Sequence, residues 1–285
     1  MAYEATVPRS WTRVPVGRLV STKVIGLCSQ NIAAVSPSIA LLSHTISLQL
    51  CCNTLTSIPD TIGHMRNLHS LSLARNQLTA LPDTIGFLTQ LRELRLNGNQ
   101  LTRLPDTVGR LKKLTLLLLQ DNQLTELPQS IGEMAALAVI NVARNPLPVL
   151  PAQIGRLKQL RTLSVEGCPL RTDITPSRAP RAPPSLKEFA ARVIVRNQLP
   201  ILSRTPQPLR QYLLQSHQCA TCQGPYFDTY VSRYKFMVRM TLHIPLEYRL
   251  CSPHWHTEAE RIVSMFGPQP ATQPPPQAVR EALER

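Results

Sequence analysis

The chain has 285 residues, 43% of them hydrophobic but only 5% aromatic, and a formal net charge of +14. Aliphatic side chains must therefore fill its core. The charge is spread evenly, because residues 1–170 carry 16 basic and 9 acidic side chains (+7) and residues 171–285 carry 15 and 8 (+7). A protein that binds nucleic acid usually concentrates basic residues on one face, so nucleic acid is not the expected partner.

The cellular compartment can be inferred from what the sequence lacks. Residues 1–21, an N-terminal extension, contain no apolar core of a signal peptide. No uncharged apolar run reaches the ~20 residues that a membrane span needs. The seven cysteines are an odd number and form no cysteine-rich caps. We therefore expect a cytoplasmic or nuclear monomer with reduced thiols and no membrane association.

A repeat of 23 residues dominates residues 22–170. A fixed period of this length is typical of a solenoid, in which each unit buries its leucines by stacking on its neighbours. The last unit is partial, and the terminal units depart from the pattern, with Gln30 and Cys168 where the others carry asparagine. The units share the pattern L-x-x-L-x-L-x-x-N-x-L and begin at Thr22, Thr45, Leu68, Leu91, Leu114, Leu137 and Leu160.

Each unit predicts a short strand followed by a turn. In the fourth unit, Leu94 and Leu96 alternate with outward side chains, as in a strand with one buried face. Asn99 falls where the chain leaves the strand, and its amide can bond backbone groups that the turn leaves unpaired. Pro105 then breaks the direction of the strand, and a short helical turn follows through a Val-Gly pair.

These repeats resemble the leucine-rich-repeat family, specifically its 23-residue intracellular type with LPxxIG on the convex side. The resemblance implies an α/β solenoid whose parallel strands form a concave partner-binding face, here called the strand face. Leu116 and Leu118 would form an exposed apolar patch there, which usually marks a contact site; the alternative is that the C-terminal region folds over them. The expected binding residues are Glu93, Arg95, Leu116, Leu118, Val139 and Asn141.

Two helices are predicted after a proline-rich linker at residues 171–184. Ser185 is suited to cap the first helix, which carries an apolar stripe. A second amphipathic helix follows Pro208 and carries Leu209, Tyr212 and Leu213. One interpretation of this helical box, residues 185–216, is that it caps the open end of the solenoid.

The helical box also resembles a SOCS box. SLKEFAARVI is similar to an elongin-binding box, with Ala190 at the usual cysteine position, and LPILSRTPQPLRQYLL is similar to the half that meets a cullin. Leucine-rich-repeat substrate receptors of cullin ubiquitin ligases carry such a box after their repeats. The resemblance implies helix-in-groove docking. The implied contacts are Leu186, Phe189, Ala190, Val193 and Ile194.

Residues 217–266 are predicted to form a small zinc-binding unit. Cys219-x2-Cys222 and Cys251-x2-His254 together offer four ligands that suit tetrahedral zinc. His217 and His256 are alternatives for the fourth ligand. Four protein ligands leave no open position, which indicates structural zinc and not catalysis.

The residues of this unit are also compatible with two other functions. Three cysteines and a water could hold a hydrolytic zinc, with Glu258 or Glu260 as general base. Arg233, Lys235 and Arg239 are separated by even numbers of residues, so in a strand they would lie on the same face and could form a basic surface for nucleic acid. Beyond this unit, residues 267–285 are rich in proline and predict a disordered tail.

Together these patterns predict a binding scaffold and not an enzyme. The strand face would select a protein substrate, the helical box would dock elongin and a cullin, and zinc would stabilise the C-terminal unit. The alternative is a signalling scaffold that binds a small GTPase or phosphatase through the strand face.

Overall fold

A computed structural model describes residues 22–172, 184–199, 201, 205–239 and 242–251, without the side chains of residues 233, 239 and 242. The chain divides into two units, Met1–Thr172 and Asp173–Arg285. The predicted N-terminal extension, most of the linker and the predicted C-terminal tail lie outside the described residues, as do His254 and His256.

The first unit is a solenoid built on a parallel sheet of seven three-residue strands. Each strand pairs in register with the strand 23 residues away, for example Leu94 with Leu117 and Leu117 with Ile140. A two-residue strand, β7, spans Leu150–Pro151. The seven strands are, in sheet order, β1 Val24–Gly26, β2 Ser47–Gln49, β3 Ser70–Ser72, β4 Glu93–Arg95, β5 Leu116–Leu118, β6 Val139–Asn141 and β8 Thr162–Ser164.

The inward leucines form the core of this unit, as the alternation predicts. Leu94 and Leu96 are fully buried, and so are their counterparts Leu117 and Leu119 in the next repeat. No repeat could bury these side chains alone, because each layer is covered by the layers before and after it.

An asparagine ladder runs beside this core. The Asn99 amide nitrogen donates to the carbonyl oxygens of Leu73 and Leu96, at 3.0 and 2.9 Å, and its amide oxygen accepts from Leu78 N. In the last repeat the Cys168 thiol replaces the asparagine and donates to Val142 O at 3.2 Å. Cys168 therefore occupies a ladder position, as the repeat pattern predicts, and burial raises the pKa of its thiol.

Short 3-10 helices return the chain on the side opposite the strands. Most begin directly after the proline of the LPxxIG motif, such as Pro105, whose backbone is still extended. The following glycine packs against the next repeat, and a methyl group on Gly109 would lie 2.6 Å from Ser130 O. The 3-10 helices span Pro37–Leu41, Asp60–His64, Asp83–Phe87, Asp106–Arg110, Gln129–Glu133 and Ala152–Arg156.

The expectation that all thiols are reduced is wrong for one pair. Cys28 and Cys51 form a disulfide between the ends of β1 and β2. They occupy equivalent positions 23 residues apart, and the in-register pairing of these strands brings their Cα atoms to 4.6 Å, which is within disulfide reach. This disulfide was not predicted from the sequence, because only the equivalence of positions in neighbouring units brings the two cysteines together.

The described residues of the second unit form two helices and two antiparallel hairpins. Helices α1 (Leu186–Arg196) and α2 (Gln207–Leu214) are followed by a short hairpin of β9 (His217–Gln218) and β10 (Pro225–Tyr226). A longer hairpin pairs β11 (Val231–Arg239) with β12 (Leu242–Leu250). Among the described residues, no helix is long and apolar enough to cross a membrane.

Candidate docking surfaces and metal centre

Leu116 and Leu118, which were predicted to form an exposed apolar patch, lie on the strand face. Leu116 lies between Glu93 and Val139 on the neighbouring strands, and Leu118 lies between Arg95 and Asn141. Both leucines are half-buried, with their side chains on the opposite side of the sheet from the core leucines. All six residues expected on this face lie side by side on three consecutive strands, β4 to β6.

Charged groups border this apolar patch on one side. The Arg95 guanidinium donates to the Glu93 carboxylate at 3.0 Å along β4, and nearly half of each side chain is exposed. Earlier strands present small polar residues such as Ser70 and Gln49. The face therefore changes from polar to charged to apolar along the solenoid, which is an arrangement suited to binding a protein surface.

Helix α1 begins at its predicted cap. The Ser185 hydroxyl accepts from Glu188 N at 3.1 Å, which satisfies one of the amides that a helix start leaves unpaired. One side of the helix is apolar and exposed: Leu186 is 84% exposed, Phe189 60% and Val193 38%. Ala190 is also exposed between them. These four residues, spaced as neighbours on one helix surface, are called the box face below.

The opposite side of α1 packs into a small core of the second unit. Ala191 and Val195 are buried against Tyr212, Leu213 and Phe227. Ile194, which the sequence analysis placed among the partner contacts, packs partly against this core. The Tyr212 and Phe227 rings stack at 4.9 Å, and the Tyr212 hydroxyl donates to Asp228 at 2.7 Å.

These contacts revise one implication of the SOCS-box resemblance. The Leu-x-x-Tyr-Leu helix was expected to meet a cullin, but its Tyr212 and Leu213 are buried in the core of the unit itself. They cannot also contact a partner unless the core opens. Among the described residues of the two helices, the box face on α1 is therefore the candidate docking surface.

A buried ion pair joins α1 to the rest of the second unit, and the sequence analysis missed it. Glu188 is almost completely buried and accepts from Arg192 at 2.6 Å and from the backbone amides of Phe227 and Thr229 at 3.2 Å. Arg192 also donates to Thr229 O at 2.6 Å and to Cys251 O at 2.8 Å. The signal available in the sequence was a Glu-Arg pair spaced i, i+4 on the side opposite the apolar stripe.

The pKa of Glu188 reflects this network. Burial acts to raise the pKa of the carboxyl group, but hydrogen bonds from Arg192, Thr229 and Phe227 outweigh it, so the pKa lies below its ordinary value. Glu188 therefore stays ionised at neutral pH and remains an acceptor for all three donors. Because the folded pKa is lowered, the stabilisation is present above the ordinary pKa and is lost as the pH falls through the folded value.

Three cysteines converge as the metal prediction requires. The Sγ atoms of Cys219, Cys222 and Cys251 all lie within 4.8 Å of one another, and those of Cys222 and Cys251 are 3.6 Å apart. Tetrahedral zinc with Zn–S bonds of about 2.3 Å would separate two sulfurs by about 3.8 Å. Gly224 N donates to Cys222 Sγ at 3.3 Å, as a backbone amide supporting a thiolate ligand would.

The three cysteine thiols lie close together in a partly buried site, which affects their ionisation. Cys219 is fully buried in a small apolar cluster with Tyr226 and Leu250. Close contact with Cys219 and Cys222, together with burial, raises the pKa of the Cys251 thiol far above its ordinary value. Thiolates crowded in this way repel one another, and a divalent cation at their centre would remove that repulsion. The three thiols could therefore hold a metal ion.

Of the other expected ligands and charges of this unit, the structure describes the side chains of His217 and Lys235. The His217 ring lies 5.5 Å from the Tyr226 ring, and among the described residues the metal-binding group contains the three cysteines alone. His254, the predicted fourth ligand, lies outside the described residues. Of the proposed basic face, Lys235 is exposed, whereas the side chains of Arg233 and Arg239 are not described.

Comparison with known proteins agrees with the architecture of the first unit. Models of leucine-rich repeats match residues 21–78 and 43–101, and a model of a leucine-rich repeat region matches residues 83–176. No curated protein matches the chain significantly. Leucine-rich repeats typically act as non-enzymatic modules for protein–protein interaction.

Two solved structures of leucine-rich-repeat proteins match part of the chain. The leucine-rich repeat domain of the type III effector XopL is 29% identical, with a TM-score of 0.52, over 55% of this chain and 57% of that one. A leucine-rich-repeat protein of Leptospira interrogans is 27% identical, with a TM-score of 0.44, over 54% of this chain and 46% of that one. The chain thus spans about half the length of these solved chains. In the region of its repeats, the chain is a leucine-rich-repeat protein.

Proposed function

We propose that this protein is a substrate-recognition adaptor of a cullin-type ubiquitin ligase. In this proposal the strand face binds a protein substrate and the box face docks the elongin subunit of the ligase. The observation that carries the proposal is the exposure of Leu186, Phe189 and Val193 on a helix whose other side is fixed in its own core. Water-exposed leucine and phenylalanine side chains at helix spacing are suited to a hydrophobic groove on a partner.

The helix is prepared for docking before any partner arrives. Ser185 caps it, Glu188 and Arg192 fix it from below, and the box face stays free of these contacts. A preformed helix loses less conformational entropy on binding than a segment that must fold first. The alanine at position 190 leaves space beside Leu186 and Phe189 where the family has cysteine, so the groove is filled mainly by Leu186 and Phe189.

We also propose that the metal is structural zinc, held by Cys219, Cys222 and Cys251. His254 is the predicted fourth ligand. Zinc would have a structural and not a catalytic role in this site. It would join the Cys219–Cys222 turn between β9 and β10, here called the knuckle, to the end of β12. One zinc per chain by elemental analysis, lost in Cys222→Ser and retained in Cys52→Ser, is the expected result. Retention of zinc by Cys222→Ser would contradict the site.

The ligase complex would assemble as a 1:1 complex in the cytoplasm or nucleus, where thiols stay reduced and able to bind metal. The Cys28–Cys51 disulfide is the feature that fits an oxidising compartment better. Fractionation of cells that express the tagged chain would test this compartment. Recovery of the chain in secreted material would contradict it.

A titration with purified elongin complex tests the docking proposal. Isothermal titration calorimetry should show binding by the wild-type chain and none by Leu186→Asp, because the substitution places a charge at the most exposed apolar position of the box face. Gln211→Asp adds the same charge at an exposed position of α2 and should bind normally. Equal binding by wild type and Leu186→Asp, or no binding by wild type, would refute the proposal.

A signalling scaffold is the outcome that would replace it. In that case the chain would show no elongin binding, and a small GTPase or phosphatase would bind the strand face. Leu118→Arg would then abolish binding while Leu186→Asp left it intact.

A further inference from the structure

Two regions of the second unit that are far apart in sequence are joined by one side chain. Arg192 projects from the middle of α1 and donates to the backbone oxygen of Cys251, a residue of the thiol cluster, at 2.8 Å. The same guanidinium donates to Glu188 and to Thr229. Only about a sixth of its side chain is exposed, so these contacts are formed largely out of water.

A second connection runs through the knuckle. Cys219 N donates to Gly224 O at 2.9 Å, and β10 continues from there through Tyr226 into Phe227. Phe227 packs on α1, and its amide, like that of Thr229, donates to Glu188. The cluster is therefore joined to α1 from both sides, by the backbone of Cys251 and by the strand that leaves the Cys219–Cys222 knuckle.

We propose that metal binding by the three thiols holds α1 in place, so that the box face is presented only when the metal is bound. Arg192 and Glu188 are the positioning residues that transmit the state of the metal centre to the helix. This inference rests on the proposed zinc site and on the proposed role of the box face. It adds that docking is conditional on metal.

The chemistry of the cluster explains why the empty and loaded states should differ. Without a cation, three sulfurs within 4.8 Å of one another lose the common centre that would fix their positions relative to one another. Movement of Cys251 shifts the carbonyl that Arg192 bonds, and movement of the knuckle shifts the amides that Glu188 bonds. The buried ion pair then loses its other partners, and a buried ion pair with missing partners is costly. Among the described contacts, α1 is then held by the small apolar core around Ala191 and Val195 and by Lys187, which lies over the Tyr212 ring.

Hydrogen exchange on the full chain tests this coupling. Backbone amides of α1 from Ala190 to Arg196 would be followed with zinc bound and after removal of zinc by a chelator, with amides of β3 to β5 as an internal reference. We expect exchange in α1 to accelerate by about a hundredfold or more, as expected for loss of a buried charge network. Exchange in the repeat strands should stay unchanged.

Variants of the positioning residue separate coupling from general instability. Arg192→Met should still bind one zinc when zinc is in excess, but its α1 amides should exchange about as fast as in the zinc-free wild type. Arg196→Met, on the exposed last turn of the same helix, should behave as wild type. If Arg192→Met does not fold, Arg192→Lys replaces it, because a lysine keeps the charge near Glu188 but has one donor nitrogen, whereas the guanidinium donates from three nitrogens to Glu188, Cys251 and Thr229.

Each outcome bears on a different claim. If zinc leaves the wild type and α1 exchange does not change, the coupling is wrong and the zinc site stands. If the wild type binds no zinc at all, both the site and the coupling are wrong. Docking itself is tested separately, because elongin binding by the zinc-loaded chain that persists unchanged after chelation would refute conditional docking and leave the adaptor proposal intact.

Discussion

The two units of the chain are stabilised in opposite ways. In the repeat unit the contacts that build the core recur after 23 residues, so that Asn76, Asn99, Asn122 and Asn145 make equivalent hydrogen bonds in successive layers. Among the described residues of the second unit, the thiol cluster, the Glu188–Arg192 ion pair and the core around Tyr212 and Phe227 have no such repeated counterparts. A substitution in one repeat should therefore have a limited effect on stability, whereas a substitution at a single site in the second unit should destabilise the whole unit.

The largest expected effect is the loss of the metal. Cys251→Ser should abolish zinc binding and remove a free energy of folding on the order of 10 kcal/mol from the second unit. The repeat unit should keep its own thermal transition. Calorimetry with and without chelator measures both transitions, and Cys52→Ser, at an exposed thiol of the repeat unit, is the control. A joint loss of both transitions would break the distinction between the units.

The second effect compares a buried with an exposed ion pair. Glu188→Gln should destabilise the second unit by about 3–5 kcal/mol, because Arg192 keeps a buried charge without its carboxylate. Glu133→Gln removes the partner of Lys112 in the repeat unit, where both side chains are about half exposed, and should cost less than about 1 kcal/mol. Denaturant titration measures both values. Similar costs for the two variants would contradict the burial argument.

The third effect lies within the repeats. Gly109→Ala should destabilise the repeat unit by about 1–3 kcal/mol, because its methyl group would lie 2.6 Å from the backbone oxygen of Ser130. Gly155→Ala makes the same change at the equivalent position of a later repeat, where nothing lies within 4 Å. It should be neutral or slightly stabilising. Equal destabilisation by both substitutions would show that close packing between repeats is not the cause.

The smallest effect concerns a surface pair between two repeats. A hydrogen bond from Arg144 lowers the pKa of Asp121 below its ordinary value of 3.8. The pair therefore contributes above that value, and its contribution is lost as the pH falls through the lowered pKa. NMR titration of the Asp121 carboxyl carbon should give a pKa that rises toward 3.8 in Arg144→Gln. An unchanged pKa in that variant would exclude Arg144 as the cause.

The sequence predicts the repeat unit well because its physical determinants recur. Period, strand direction, buried leucines, asparagine ladder and the placement of Leu116 beside Val139 all follow from one 23-residue pattern. One position of the repeat has a left-handed backbone, which glycine adopts most easily, and Gly98 and Gly167 occupy it in two repeats. The pattern does not predict the same backbone at Arg75, Asp121 and Arg144, because these repeats have no glycine there. The Cys28–Cys51 bond escaped notice for a related reason, since it depends on equivalent residues of two units.

Prediction from sequence is weaker in the second unit, where single contacts decide the structure. The spacing of Cys219, Cys222 and Cys251 was sufficient to predict their convergence, because two residues between cysteines allow a tight knuckle. The burial of Tyr212 and the network around Glu188 could not be predicted, because they depend on which face of each helix meets the hairpins. Amphipathic spacing shows that a helix has an apolar face but does not show whether a core or a partner covers it.

The division of labour between the two units is the central claim, and parallel affinity capture tests it most directly. Tagged wild type, Leu186→Asp and Leu118→Arg would be captured from native extract and compared by quantitative mass spectrometry, with Gln211→Asp and Gln49→Arg as charge-matched controls. The account predicts that Leu186→Asp loses elongin and the cullin but keeps the remaining partners, whereas Leu118→Arg loses those partners and keeps the ligase subunits. Loss of the same proteins by both variants, or of none by either, would contradict it.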